Sequence, residues 1–163
     1  LIIFNLIEEN KSQNRENTTS TKINIFNYMN YGAARIAFRR KSITYNGITF
    51  NLNFGGGTTH SSGEDTLFLS DCLKKGLKIV AVPQSIAKLN DERESTWFKG
   101  YNEKYFFDKG IVLALAHPVL AKPFSLYLTL RHNEYTESGL SKAKIYKEIC
   151  KGISYIKNNS YKK

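Results

Sequence analysis

Apolar and polar positions fall in blocks along the chain, and the blocks predict its elements. Leu1-Ile2-Ile3-Phe4-Asn5-Leu6-Ile7 is a nearly continuous apolar run of strand length. It predicts a strand buried in the middle of a sheet, with its partners expected upstream. From Glu8 to Thr21 no apolar residue occurs. Residues 8–21 are therefore expected to form an exposed loop, because nothing there offsets the entropy of ordering the chain. Order resumes at Ile23. Ala34-Arg35-Ile36-Ala37-Phe38 reads as a short strand, the basic cluster Arg39-Arg40-Lys41 leads into a helical turn to Tyr45, and Asn46-Gly47 is a turn dipeptide. Ile48 to Leu52, with Thr49 and Asn51 alternating, reads as a second extended piece.

The stretch Phe54-Gly55-Gly56-Gly57-Thr58-Thr59-His60-Ser61-Ser62-Gly63-Glu64-Asp65-Thr66-Leu67-Phe68-Leu69 joins a glycine-rich loop to a helix start. Ser62 with Asp65 three positions on has the pattern of a capping box. Leu67, Leu69 and Leu73 supply the apolar positions, and Gly76 ends the helix. Lys78-Ile79-Val80-Ala81-Val82-Pro83 reads as another buried strand. After Trp97 the pattern turns helical, through Tyr101, Tyr105, Phe106, Ile111 and Leu113 to Leu130. Lys122 with Pro118 and Pro123 breaks what would otherwise approach a membrane span, so the prolines are expected to separate two helices that pack on each other or lie at an interface. Ser141 to Lys157 is amphipathic, with Ile145, Ile149, Ile153 and Ile156 on one face and Lys142, Lys144, Lys147 and Lys151 over the rest.

Composition narrows the class. In 163 residues, 24 Lys+Arg stand against 14 Asp+Glu for a net charge of +10, and 41% of residues are apolar. This is the make-up of a globular chain and excludes collagenous and low-complexity proteins. The length suits one domain of ordinary size. Cys72 and Cys150 are far apart and have no His or Cys at metal-ligand spacing, so neither a disulfide framework nor a zinc site is indicated, and a reducing cytoplasm fits. No secretory signal can be read, and the opening on Leu1 and an apolar run suggests a fragment.

The Glu64-Asp65 pair has two readings. Acidic residues favour the positive end of a helix dipole, worth about 0.3–1 kcal/mol each. A carboxylate at the mouth of a glycine-walled cleft is also placed to act as a general base. The triple glycine is not a phosphate-binding fingerprint, since no Lys-Ser/Thr follows it and its spacing departs from Gly-x-Gly-x-x-Gly.

Taken together, Phe54-Gly55-Gly56-Gly57, Gly63-Glu64-Asp65-Thr66-Leu67-Phe68-Leu69, Lys75-Gly76-Leu77-Lys78-Ile79, Glu94-Ser95-Thr96-Trp97-Phe98 and Lys104-Tyr105-Phe106-Phe107-Asp108-Lys109-Gly110 resemble the C-terminal half of bacterial family 2 glycosyltransferases of the GT-A fold. The resemblance runs from about Tyr28 to Gly110. It implies an α/β architecture: a partial GT-A mixed sheet, the Rossmann-like fold of nucleotide-diphospho-sugar transferases, with a helical C-terminal extension. Residues 1–110 would be the acceptor-side half of the GT-A domain and residues 111–163 a basic amphipathic extension.

By the same resemblance, Asp65 would be the base of an inverting displacement and Glu64 would hold the acceptor or orient the site. Gly56, Gly57, His60, Gly63 and Trp97 would line the acceptor subsite. A nucleotide-sugar would be the donor and a glycan or lipid-linked sugar the acceptor, in cell-surface polysaccharide synthesis. The family's Mg or Mn ion is held by an Asp-x-Asp motif. None occurs here, as Asp65, Asp71, Asp91 and Asp108 are never two apart, which reads as a truncated chain or as a degenerate protein that no longer turns over; the metal is expected only in a full-length enzyme and this chain alone is expected to transfer no sugar.

Other readings stand beside these. His60 reads as an acceptor contact, as a ligand, or as a solvated loop residue. Trp97 reads as a platform for a sugar ring or as a core anchor, and His117 and His132 read as structural. The tail helix either covers the core or lies on an anionic membrane, which would make the protein cytoplasmic and peripheral at the inner face. The rival from another class is a noncatalytic basic module for nucleic acid or a protein partner, suggested by the charge with ten Tyr and ten Phe. Most of those aromatics sit in apolar runs and no nucleic-acid signature appears, so nucleic acid is not expected as a partner.

Overall fold

The computed structural model describes residues 1–7, 16–88 and 100–158, with the side chain of Glu134 left aside. In chain order it contains β1 (Ile2–Ile7), β2 (Thr21–Lys22), β3 (Ile36–Ala37), α1 (Arg40–Tyr45), α2 (Glu64–Lys74), β4 (Val80–Lys88), α3 (Glu103–Ala116), α4 (Ala121–Arg131) and α5 (Lys142–Asn158). Short 3₁₀ turns occupy Tyr28–Asn30, Ala33–Arg35 and Asn133–Ser138. The class is α/β. The chain divides into two compact units, one of residues 1–50 and 64–95, the other of residues 51–63 and 96–163. The division expected at residue 110 instead falls inside α3.

The first unit is built on a four-stranded mixed sheet in the order β2-β4-β1-β3. β1 runs parallel to β4 and antiparallel to β3, and β2 is antiparallel to β4. The apolar run at residues 1–7 is an interior strand as its composition predicts, but its partners come from further along the chain. Its burial is also incomplete, with Ile3 fully buried while Ile2 and Ile7 are exposed. The strand expected at 34–38 shrinks to Ile36–Ala37 because Ala33–Arg35 turns into a 3₁₀ helix, and Ile48 to Leu52 joins no strand. β4 continues past Pro83. The register shifts between the Ile3↔Ala81 and Asn5↔Ser85 pairs, and such an irregularity is where a strand tolerates proline.

Under the sheet, Ile3, Ile23, Tyr28, Ile43, Ile48, Phe68, Leu69, Cys72, Ile79 and Ala81 form the core. Phe50 stacks on Phe68 at 4.4 Å between centroids. α2 ends in a glycine cap: Gly76, at φ +72°, donates to Leu73 O, and Leu77 donates to Cys72 O. Both cysteines are free, and burial pushes the Cys72 thiol up to about 11, which leaves it a packing group.

The second unit packs α3, α4 and α5. Ile145, Ile149 and Ile153 are buried along α5 and face α3, which contributes Phe106, Ile111 and Leu113. The apolar stripe of the tail is thus taken up by protein, and the expectation that it rests on lipid is corrected. Two of its lysines, Lys144 and Lys151, are also engaged with the buried Glu148, and Lys144 reaches Glu103 at 3.2 Å. The two prolines do divide helices: Pro118 lies between α3 and α4, and Pro123 sits in the first turn of α4, where its missing N–H costs no helical bond.

Candidate functional site

Glu64 and Asp65 open α2 in the first unit, one residue later than a Ser62 cap would start it. Asp65 does not serve its own helix alone. Its Oδ2 accepts a hydrogen bond from the Ala33 amide at 2.9 Å, an otherwise orphan donor at the start of the Ala33–Arg35 turn. A Cβ built on Gly32 would stand 3.5 Å from Oδ2, an ordinary contact, so the bond does not depend on a glycine there. The other oxygen, Oδ1, is buried and accepts no hydrogen bond from the described residues. Burial raises the carboxyl pKa from 3.8 to about 6, the Ala33 bond opposes the rise, and the charge of Glu64 adds to it. Asp65 is therefore a fixed carboxylate with one unused acceptor and a basicity above that of an ordinary aspartate.

Behind it in the same unit lies a polar cluster that the sequence pattern does not announce. Asn5 is buried within the apolar run of β1. Its amide donates to Asn17 O and Pro83 O at 3.0 and 3.1 Å, and its Oδ1 accepts from Asn17 N at 2.8 Å and from the Arg35 guanidinium at 2.9 Å. Arg35, also buried, donates through Nε to Phe4 O at 2.7 Å and lies over the Tyr31 ring. An isolated Asn in an apolar run was the available signal, since a buried amide must find partners. Nothing in the spacing says that the partner is Arg35.

The glycine-rich loop belongs to the second unit. Gly55, Gly57 and Gly63 have φ of 112°, 84° and 119°, and Gly55 N donates to His60 O at 2.9 Å, closing the loop on itself. Thr58 Oγ1 lies 3.0, 3.0 and 2.9 Å from the carbonyl oxygens of Asn53, Gly55 and His60, and its single O–H donates to one of them at a time. At Gly63 a Cβ would stand 2.4 Å from Val112 Cγ2, so the position requires glycine for space as well as for backbone. Gly56 and Gly57 are exposed.

The solvated reading of His60 is overturned, because its side chain is only 7% exposed. The ring stacks on Phe54 at 4.9 Å, and Nδ1–H donates to Asp108 Oδ1 at 2.9 Å. The other oxygen of Asp108 accepts from Lys104, which also donates to Thr59 O at 2.8 Å. Lys104 and Asp108 stand at i and i+4 on α3, a pairing legible in the sequence; His60 joins them across 48 residues and is not. Beside them a depression of about 190 Å³ is lined by Thr58, Thr59, Ser61, Gly100, Asn102, Lys104 and Tyr105.

Of the residues the resemblance implies, Glu64 and Asp65 thus lie in one unit and Gly56, Gly57, His60 and Gly63 in the other, while Trp97 is outside the described residues. No three His, Cys, Asp or Glu side chains come together among the described residues. No described helix is long and apolar enough to cross a membrane. No family model, curated protein or solved structure matches the chain.

Proposed function

We propose that this chain is the acceptor-side part of an inverting glycosyltransferase in which Asp65 takes the proton from a sugar hydroxyl. The observation that supports the reading is the state of the Asp65 carboxylate. One oxygen is held by the Ala33 amide, the other is buried without a donor, and the group titrates near 6. A general base works best with a pKa close to the ambient pH while remaining mostly ionised there.

In the proposed step the acceptor O–H proton passes to the Asp65 carboxylate as the acceptor oxygen bonds to the anomeric carbon. The bond from that carbon to the nucleotide diphosphate breaks on the opposite side, and its electron pair leaves with the phosphate oxygen. Glu64, next to it at the same helix start, accepts hydrogen bonds from the acceptor and orients it. The donor and its divalent metal are bound by residues other than these, and no step here depends on them.

The test is a transfer assay on the complete polypeptide that contains these residues. Asp65→Asn keeps an oxygen for Ala33 but cannot take the proton, so turnover should fall by about 10²- to 10⁴-fold with nucleotide-sugar binding retained. Near-normal turnover would leave Asp65 with a helix-terminal role only. The 163-residue chain by itself should transfer no sugar.

A further inference from the structure

α4 is turned with its apolar side outward. At about 100° per residue, Leu126, Leu130, Pro123 and Tyr127 follow one another across one arc of the helix, and Lys122 and Arg131 bound that arc on its two sides. Leu126 is 48% exposed, Leu130 59%, and Val119 in the turn leading into the helix 89%. The opposite arc, with Ala121, Ser125, Leu128 and Thr129, is buried. Its hydroxyls are satisfied within the helix, Ser125 donating to Lys122 O at 2.7 Å and Thr129 to Ser125 O at 2.8 Å. A surface helix ordinarily shows the reverse arrangement.

The ridge is cationic at its margins. Arg131 donates to the Tyr127 hydroxyl and its guanidinium lies 5.5 Å from the ring centre. Lys142 brings a third cation to the C-terminal end by donating to Leu130 O at 3.2 Å. From Pro118 to Asn133 the sequence has no Asp or Glu.

We infer that α4 and the Val119 turn form a docking surface for an anionic lipid bilayer, with the helix lying in the plane of the interface. The apolar arc enters the boundary between headgroups and acyl chains, and Lys122 and Arg131 reach back to the lipid phosphates. Tyr127, apolar in its ring and polar at its hydroxyl, suits the same depth. With 11 residues α4 is about 16 Å long, too short to span, so the contact is lateral. Charge argues against a second copy as the occupant: apposing two such ridges antiparallel sets Lys122 of one against Arg131 of the other, with no acidic residue in the segment to compensate. The inference stands on different residues from the proposed sugar chemistry and is independent of it.

The experiment is sedimentation of the 163-residue chain with vesicles of phosphatidylcholine alone or mixed with phosphatidylglycerol. Binding is expected to the anionic vesicles and to weaken with salt. Leu126→Gln with Leu130→Gln should reduce it at least about tenfold, since the apolar contribution is lost. Lys122→Gln with Arg131→Gln should reduce it at low salt and flatten the salt dependence. All four side chains are exposed, and unchanged circular dichroism and melting would show that the fold is kept. Equal sedimentation with and without vesicles would overturn the inference. So would a concentration-dependent dimer abolished by the leucine substitutions, which would assign the ridge to a protein contact.

Discussion

Gly110 of α3 and Gly152 of α5 meet backbone to backbone. A Cβ on Gly110 would stand 2.0 Å from Ile149 O, and one on Gly152 would stand 2.0 Å from Phe107 O. Both obstacles are main-chain atoms, which cannot swing away as a side chain would. Gly110→Ala is therefore expected to force the helices apart and to destabilise the protein by on the order of 1–3 kcal/mol, even though alanine is the better helix former. Urea denaturation measures this. Unchanged stability would mean that the two helices do not cross at this point.

Removal of residues 142–158 should unfold the second unit. α5 provides Ile145, Ile149 and Ile153 to the interior, each at most 1% exposed, and no other described helix replaces them. Loss of helical circular dichroism well beyond the deleted residues is expected, whereas a helix merely resting on a membrane would come away without harm to the fold.

Stability should fall as pH rises from about 4 to about 6 on account of Asp65. The folded state binds this proton more tightly than the unfolded chain, with pKa about 6 against 3.8, so its contribution is fully present below 3.8 and is lost through 6. Asp65→Asn is neutral throughout and keeps an acceptor for the Ala33 amide. The variant should lack this part of the slope and be the more stable protein above pH 6. Parallel urea titrations at several pH values would expose the difference, and superimposable profiles would mean that the carboxylate is not desolvated as described.

Asp108→Ala should cost on the order of 1–3 kcal/mol, because it strips the buried His60 Nδ1–H of its acceptor and leaves Lys104 without its closest anion. His60→Gln, which can offer an N–H of its own, should cost less. Comparable losses for both would indicate that stacking on Phe54, and not the hydrogen bond, is what His60 supplies.

Local chemistry was readable from residues close in sequence. Acidic residues at 64 and 65 mark the start of α2, Gly76 marks its end, and Pro118 marks the break between α3 and α4, because each acts on its own backbone within a few positions. The isoleucines at every fourth or third position of α5 likewise specify an apolar face. Whether lipid or protein covers that face is not a property of the helix. The answer came from two glycines 42 residues apart, Gly110 and Gly152, that let α3 approach it.

The same limit holds at the candidate site. The sequence by itself determined that Asp65 is an acidic residue in the first turn of a helix that follows a glycine-rich loop. Tertiary structure alone decided that one of its oxygens meets the Ala33 amide, that the other is buried without a donor, and that burial lifts its pKa. It also decided that His60 turns inward to Asp108, and that β1 takes its neighbours from residues 36–37 and 80–88. Desolvation and pairing over long separations depend on which surfaces are brought together in space, and a one-dimensional pattern of residue types records only which surfaces are available.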